Sequence, residues 1–98
     1  MALTQEKVVA QLEEVIQSIE KKPQINVRGI IEELEKIIKP DKEPPKFKGE
    51  PLKIYIELEK YYYYLFDLID KRKENAGPNK VGALDYLRNI KEQYSSTQ

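Results

Sequence analysis

The stretch that decides the fold is 52–74, which reads LKIYIELEKYYYYLFDLIDKRKE and is the most hydrophobic segment of the 98-residue chain. Apolar side chains recur in it every three or four residues, the period at which one side of an α-helix faces a core. The main stripe consists of Ile54, Leu58, Tyr61, Leu65, Leu68 and Ile69, and Tyr55, Tyr62 and Phe66 widen it. A helix that is apolar around most of its circumference is buried on several sides. The sequence therefore predicts a third helix at 52–74 around which the other segments pack.

Two further helices are predicted ahead of this segment. Thr4 is a suitable N-cap for a helix at 5–21, whose apolar positions step by three and four until Pro23 stops the run. Asn26 is a suitable N-cap for a second helix at 27–39, which repeats the same period. Because the connection between the two helices is short, we expect them to be neighbours in space.

A proline-rich connector separates this helical pair from the third helix. Residues 40–51 contain four prolines and one glycine among charged side chains, so neither a continuous helix nor a central strand is compatible with them. Phe47 is the one large apolar residue of the connector, and we expect it to pin the connector onto the helices.

A fourth helix is predicted at 80–94, with Asn79 as its N-cap and Val81 facing inward. The Asn-Ala-Gly-Pro sequence at 75–78 is expected to end the third helix with a glycine cap. The tail at 95–98 is expected to fray. The whole chain, 1–98, is thus predicted to be a single all-α domain, a small four-helix bundle with an extended connector between its second and third helices.

The composition excludes several classes of chemistry. There is no cysteine, which removes disulfides and thiolate nucleophiles, and no histidine, which removes the commonest general base and metal ligand. Glycines stand singly, so no phosphate-binding loop is present. We therefore predict a non-enzymatic protein without a cofactor or a metal.

Charge and the N-terminal sequence bear on location and environment. Seventeen basic side chains balance 17 acidic ones, which does not favour a polybasic membrane tether. The N-terminal residues lack the apolar run of a signal peptide, and no segment is long and apolar enough to span a bilayer, so a cytoplasmic protein is predicted. The Lys- and Glu-rich composition without Trp is often found in heat-adapted proteins.

The run of four tyrosines at 61–64 is the least expected feature of the sequence. Four consecutive helical positions point about 100° apart, so the four rings cannot all enter one core. In one interpretation the rings close the edge of the core and keep their hydroxyls in water. In the other, they form a protein-binding patch, because tyrosine is enriched in interface anchors. The candidate partner-binding residues are Tyr55, Tyr62, Tyr63 and Phe66, with Phe47 at their edge.

These features favour a small accessory or adaptor subunit that acts by protein–protein binding. The partner is either another protein or a second copy of the chain, since a small bundle with an apolar helix gains buried area by dimerising. The alternative is a nucleic-acid-associated protein, which either binds directly or belongs to a replication, repair or defence complex.

Two features bear on the nucleic-acid alternative. Candidate phosphate-binding residues are Lys46, Lys48, Lys71, Arg72 and Lys73, provided that the fold brings the connector and the end of the third helix together. In the other interpretation, the same basic residues are ordinary solubilising charges that nearby carboxylates offset. Arg28 stands where a DNA-reading helix places base contacts, but Glu32, Glu33 and Glu35 on the same helix would face phosphates.

Overall fold

The computed structural model describes residues 4–38 and 47–96, and in these ranges the chain is helical without any strand. The helices are α1 (Gln5–Lys21), α2 (Val27–Leu34), α3 (Glu50–Asp70) and α4 (Lys80–Ser96), with a short 3-10 helix, η1 (Glu74–Ala76), after α3. The predicted all-α class with four helices is therefore confirmed. No helix in the described ranges combines the length and the apolar character that crossing a bilayer requires.

The four helices pack as a ring of neighbours. Helix α1 packs against α2 and α4, and α3 packs against the same two helices. The most extensive contact joins α1 to α4, so α3 is one of four corners and is not the central rod that its hydrophobicity suggested. The core draws on every helix; its fully buried side chains include Leu12, Ile19, Ile30, Leu34, Leu58, Leu65, Leu87, Ile90 and Tyr94.

Helix starts lie at the predicted caps. The Thr4 hydroxyl accepts a hydrogen bond from the Lys7 backbone N–H at 3.2 Å, and the Asn26 side chain accepts one from the Gly29 N–H at 2.8 Å. Asn79 does the same for Gly82. Each cap satisfies a backbone donor that has no partner inside its helix. Helix α3 differs: it begins at Glu50 and not at the predicted 52, so residues 50–51 of the predicted connector are helical. It has no side-chain cap and follows Gly49, whose φ of 71° favours glycine.

The predicted end of α2 is wrong. The helix ends at Leu34 and not at 39, and residues 35–37 form a turn. Ile37 and Ile38 nevertheless remain buried, each 1% exposed. The apolar period thus continues past the helix, because a turn can deliver side chains to the same core. Residues 39–46, which include most of the connector, lie outside the described residues.

The predicted end of α3 is also wrong. The helix ends at Asp70, and the Lys73 N–H bonds the Leu68 carbonyl at 2.8 Å while the Arg72 N–H bonds the Ile69 carbonyl at 3.0 Å. This pair of bonds closes a helix end through a residue in the left-handed region, usually glycine. Here the residue is Arg72, with φ 56°. Gly77, expected to cap α3, instead follows η1.

Helix α4 begins at Lys80 as predicted but differs from its prediction at the C-terminal end and in the orientation of Val81. It continues to Ser96, so Ser95 and Ser96 are helical where a frayed tail was expected, and residues 97–98 lie outside the described residues. Val81, expected to face inward, is 65% exposed. Its place in the first turn puts it on the outer side, and Leu84 and Leu87 form the inner side.

One buried carboxylate lies between α1 and α2. Glu33 is 4% exposed, and Lys36 donates a hydrogen bond to it at 2.6 Å. Burial alone would raise the Glu33 pKa, but hydrogen bonds from Lys36 and Ser18 and the positive charges of Lys36 and Lys22 outweigh burial and lower the pKa below its ordinary value. The ionised carboxylate is therefore the stable form inside the bundle.

Lys80 connects the start of α4 to the end of α1. Its ammonium donates to the backbone carbonyl of Lys22 at 2.6 Å and to that of Glu20 at 3.0 Å. Both carbonyls belong to the last turn of α1, where backbone acceptors lack helical partners and the helix dipole favours a cation. One lysine thus links the chain's first and last helices.

We expect Lys80→Met to lower the free energy of unfolding by about 1–2 kcal/mol, because two hydrogen bonds to a charged donor are lost while the aliphatic stem is kept. Chemical denaturation followed by circular dichroism measures this change. Lys53→Met is the matched control, since the ion pair of Lys53 with Glu50, at 3.3 Å, is exposed, and its loss should change stability far less. Equal effects of the two variants would contradict a special role for Lys80.

Candidate recognition surface

An apolar strip runs along the outer side of α3. Tyr63 is 52% exposed, Ile56 40% and Phe66 36%. Positions 56, 63 and 66 are separated by seven and three residues, a spacing that places them on one side of a helix. We call Ile56, Tyr63 and Phe66 the α3 strip. Tyr64, 48% exposed, lies on the neighbouring side of the helix, toward α4.

The two rings of the strip rest on one buried ring. Tyr62 is 3% exposed, and its ring lies edge-on to that of Tyr63 at 5.3 Å and to that of Phe66 at 5.0 Å between centroids. The Tyr62 hydroxyl donates to the Glu35 carboxylate at 3.1 Å, which fixes the ring against the end of α2. Edge-to-face packing of this kind is favourable, so the exposed rings are held in place before any partner arrives.

The predicted contact residues divide into two groups. Tyr63 and Phe66 are exposed, whereas Tyr55 and Tyr62 are buried in the core at 5% and 3% exposure. Phe47 is half-buried and lies edge-on to Tyr55 at 5.7 Å, so it covers a core residue. Tyr55 and Tyr62 thus offer a partner no direct surface. Sequence reasoning missed Ile56, although its position seven residues before Tyr63 was a usable signal.

A half-buried carboxylate borders the strip. Burial raises the pKa of Glu59 above its ordinary value. Burial, together with the nearby Glu59 charge, raises the pKa of Tyr55 to about 12. Glu59 therefore combines an apolar environment with partial access to water, a combination in which a partner's positive charge would be favourable.

A second aromatic group closes the contact between α3 and α4. Tyr61 and Tyr86 stack with their ring centroids 3.9 Å apart, and Tyr64 lies beside Tyr61 at 6.3 Å. The Tyr86 hydroxyl donates to the Glu57 carbonyl at 3.1 Å. The Tyr61 ring thus closes the edge of the core between two helices, as the core-boundary interpretation expects, but its hydroxyl is buried and does not reach water.

Among the described candidate phosphate-binding residues, Lys48 is far from the cluster after α3. Lys48 precedes the start of α3 and Lys71 follows its end, so a helix of 21 residues, about 30 Å long, separates them. Lys46 lies outside the described residues. Lys71 contacts Asp67 at 2.9 Å. Arg72 and Lys73 remain exposed after α3.

Arg72 instead meets a residue from the other half of the chain. Arg28, in the first turn of α2, and Arg72 line one pocket together with Ile69, Glu74 and Asn75. Arg28 contacts Glu74 at 3.5 Å. This ion pair places Arg28 at the junction of α2 and η1. Its guanidinium contacts a neighbouring element, whereas an arginine that reads DNA points away from its own protein.

No protein-family model, curated protein or solved structure matches the chain. In residues 4–38 and 47–96 no three acidic side chains lie close enough together to hold a metal ion. The candidate surface must therefore be judged on its own geometry.

Proposed function

We propose that this protein is a non-enzymatic accessory or adaptor subunit that acts by protein–protein binding through the α3 strip. The observation that supports this most is the pair of exposed rings, Tyr63 and Phe66, held edge-on against the buried Tyr62. Aromatic side chains that are rigid before binding give contact area at a small entropic cost.

The charges beside the strip favour a second copy as the partner. Lys60 lies one turn before Tyr63 and Asp67 one turn after it, and both are exposed. In an antiparallel pair of strips with a two-fold axis near Tyr63, Lys60 of one copy lies opposite Asp67 of the other, and the reverse. Asp67 keeps 54% of its side chain exposed despite its contact with Lys71, so it remains accessible to that lysine. The proposed arrangement is therefore self-complementary in charge.

Removing the two rings tests the strip. We expect the double variant Tyr63→Ala with Phe66→Ala to weaken self-association by roughly tenfold or more, because anchor residues of an interface commonly contribute over 1 kcal/mol each. Sedimentation equilibrium from micromolar to millimolar concentration measures the effect. Val81→Ala, which removes an even more exposed apolar side chain from α4, is the matched control and should not change association.

A charge exchange tests the antiparallel arrangement. Lys60→Glu alone and Asp67→Lys alone should each weaken the dimer, because each places like charges opposite one another. The double exchange, Lys60→Glu with Asp67→Lys, should restore it. A wild-type chain that stays monomeric at every concentration would overturn self-association. Capture of another protein that is lost in the two-ring variant would then support the adaptor function with a different partner.

A further inference from the structure

The pocket between the start of α2 and the end of α3 carries an excess of positive charge. Two guanidiniums, those of Arg28 and Arg72, line it, and Glu74 is the only carboxylate among its lining residues. The Glu74 carboxylate contacts Arg28 at 3.5 Å, with the Arg28 side chain still 64% exposed. No carboxylate lies within ion-pair distance of Arg72 in the part of the chain that the structure describes. The residues that line the pocket therefore carry one positive charge that no carboxylate among them balances.

A charged groove between α1 and α4 is different. Between α1 and α4, Arg88 contacts Glu20 at 2.6 Å and Lys91 contacts Glu13 at 3.1 Å, so each of these cations has its own carboxylate. Two arginines that line one pocket with a single carboxylate leave one positive charge there that an anion can neutralise. Unlike this groove, the arginine pocket has more cations than carboxylates and is suited to bind an external anion.

The arginine at position 72 is not required by the backbone. A residue with φ 56° at a helix end is usually glycine, because side chains other than glycine are strained there. Arginine at this position therefore contributes through its guanidinium. Its fork of N–H donors matches the oxygens of a phosphate group, and Asn75 adds an amide donor to the lining.

We propose that this pocket binds the phosphate group of a phosphate monoester, with Arg28 and Arg72 as the two contacts to its oxygens. The pocket has a volume of about 400 Å³, more than a phosphate group fills, and Ile69 gives it one apolar wall. An organic group attached to the phosphate would lie against that wall. Glu74 competes with the ligand for Arg28, so the site is weakened by its own carboxylate. This proposal is independent of the α3 strip.

The experiment follows the side-chain Nε–Hε signals of the two arginines by NMR during titration with inorganic phosphate and with phenyl phosphate. We expect both signals to shift and to saturate at millimolar concentration, with phenyl phosphate binding more tightly than inorganic phosphate. Added sodium chloride should weaken both interactions.

Three variants give the site its sharpest test. Arg72→Gly should weaken phenyl phosphate binding by roughly tenfold, the factor that corresponds to one lost charged hydrogen bond, while raising the thermal midpoint because glycine suits the backbone at 72. Arg28→Gln should weaken binding similarly. Glu74→Gln should strengthen it, since Arg28 is released.

The control is Lys53→Gln, which removes the same charge at the opposite end of α3 and should leave the affinity unchanged. Equal affinities of wild type and Arg72→Gly, weaker binding by Glu74→Gln, or shifts that do not saturate would each overturn the site. Equal affinity for the two probes would contradict the proposed contact between Ile69 and the organic group attached to the phosphate.

Discussion

Gly77→Ala is expected to lower the free energy of unfolding by about 2–3 kcal/mol. A β-carbon at this position would lie 2.5 Å from Cγ2 of Val27 and 2.9 Å from Cδ1 of Leu68, both shorter than any van der Waals contact. Val27 and Leu68 are core residues, 2% and 8% exposed, so they can move only by disturbing the packing around them. Overpacking in a core forces side chains off their preferred rotamers or shifts the backbone, at a cost of typically 1–3 kcal/mol. Chemical denaturation followed by circular dichroism measures the loss.

Gly82→Ala is the matched substitution and should have the opposite sign. Gly82 lies in the first turn of α4, and a β-carbon there would meet its nearest neighbours, Pro78 and Asn79, at 3.5 and 3.6 Å, ordinary contact distances. Alanine is the better helix former and restricts the unfolded chain, so a gain of about 0.5–1 kcal/mol is expected. If both variants were destabilised alike, the close approach at Gly77 would not be what distinguishes them.

The contact at Gly77 also positions the arginine pocket. Because Gly77 has no side chain, the segment after α3 can lie directly against Val27 at the start of α2. That approach brings Glu74 within 3.5 Å of Arg28 and places Arg72 in the same pocket. A residue that was expected to cap a helix therefore serves to join two elements, and the pocket is a consequence of that junction.

Helix starts were predictable because the information is local. Thr4, Asn26 and Asn79 each bond a backbone N–H three residues ahead, an interaction that depends on few other parts of the fold. Helix ends were not predictable from periodicity. Ile37 and Ile38 continue the apolar period after α2 has ended. An apolar period shows which residues face the core, and it does not show whether their backbone is helical.

The candidate surface was predictable only in part, for a different reason. The sequence indicated that four adjacent tyrosines cannot share one side of a helix, which the structure confirms with Tyr62 buried and Tyr63 exposed. The helical period placed Tyr61 in the main apolar stripe and Tyr62 beside it, and in the structure these two are the less exposed members of the run. Which side chains of α2 and α4 they contact is not specified by any local pattern. The same holds for Arg28 and Arg72, which are far apart in the sequence and line one pocket through tertiary packing alone.

The bundle should lose several kcal/mol of stability between about pH 10 and pH 12, because its buried tyrosines resist ionisation. Burial raises the pKa of Tyr55, Tyr61 and Tyr86 to about 12, from 10 in the unfolded chain. Above pH 10 the unfolded chain releases these protons and the folded chain keeps them, so the stabilisation present below pH 10 is lost as the pH rises. Denaturation curves at a series of pH values measure the decline.

Two stacked tyrosines separate this effect from the simultaneous titration of lysines. The Tyr61 hydroxyl is buried without a hydrogen-bond partner among the described residues, so Tyr61→Phe should leave stability at pH 7 unchanged or raise it by up to about 1 kcal/mol. Tyr86→Phe removes the hydrogen bond to the Glu57 carbonyl and should cost about 1 kcal/mol at pH 7. Toward pH 12 each variant should gain about 2 kcal/mol relative to wild type, since one ionisation that opposes folding is gone. If the alkaline decline of both variants matched that of wild type, ionisation of these tyrosines would not be its cause, and loss of lysine charge would account for it.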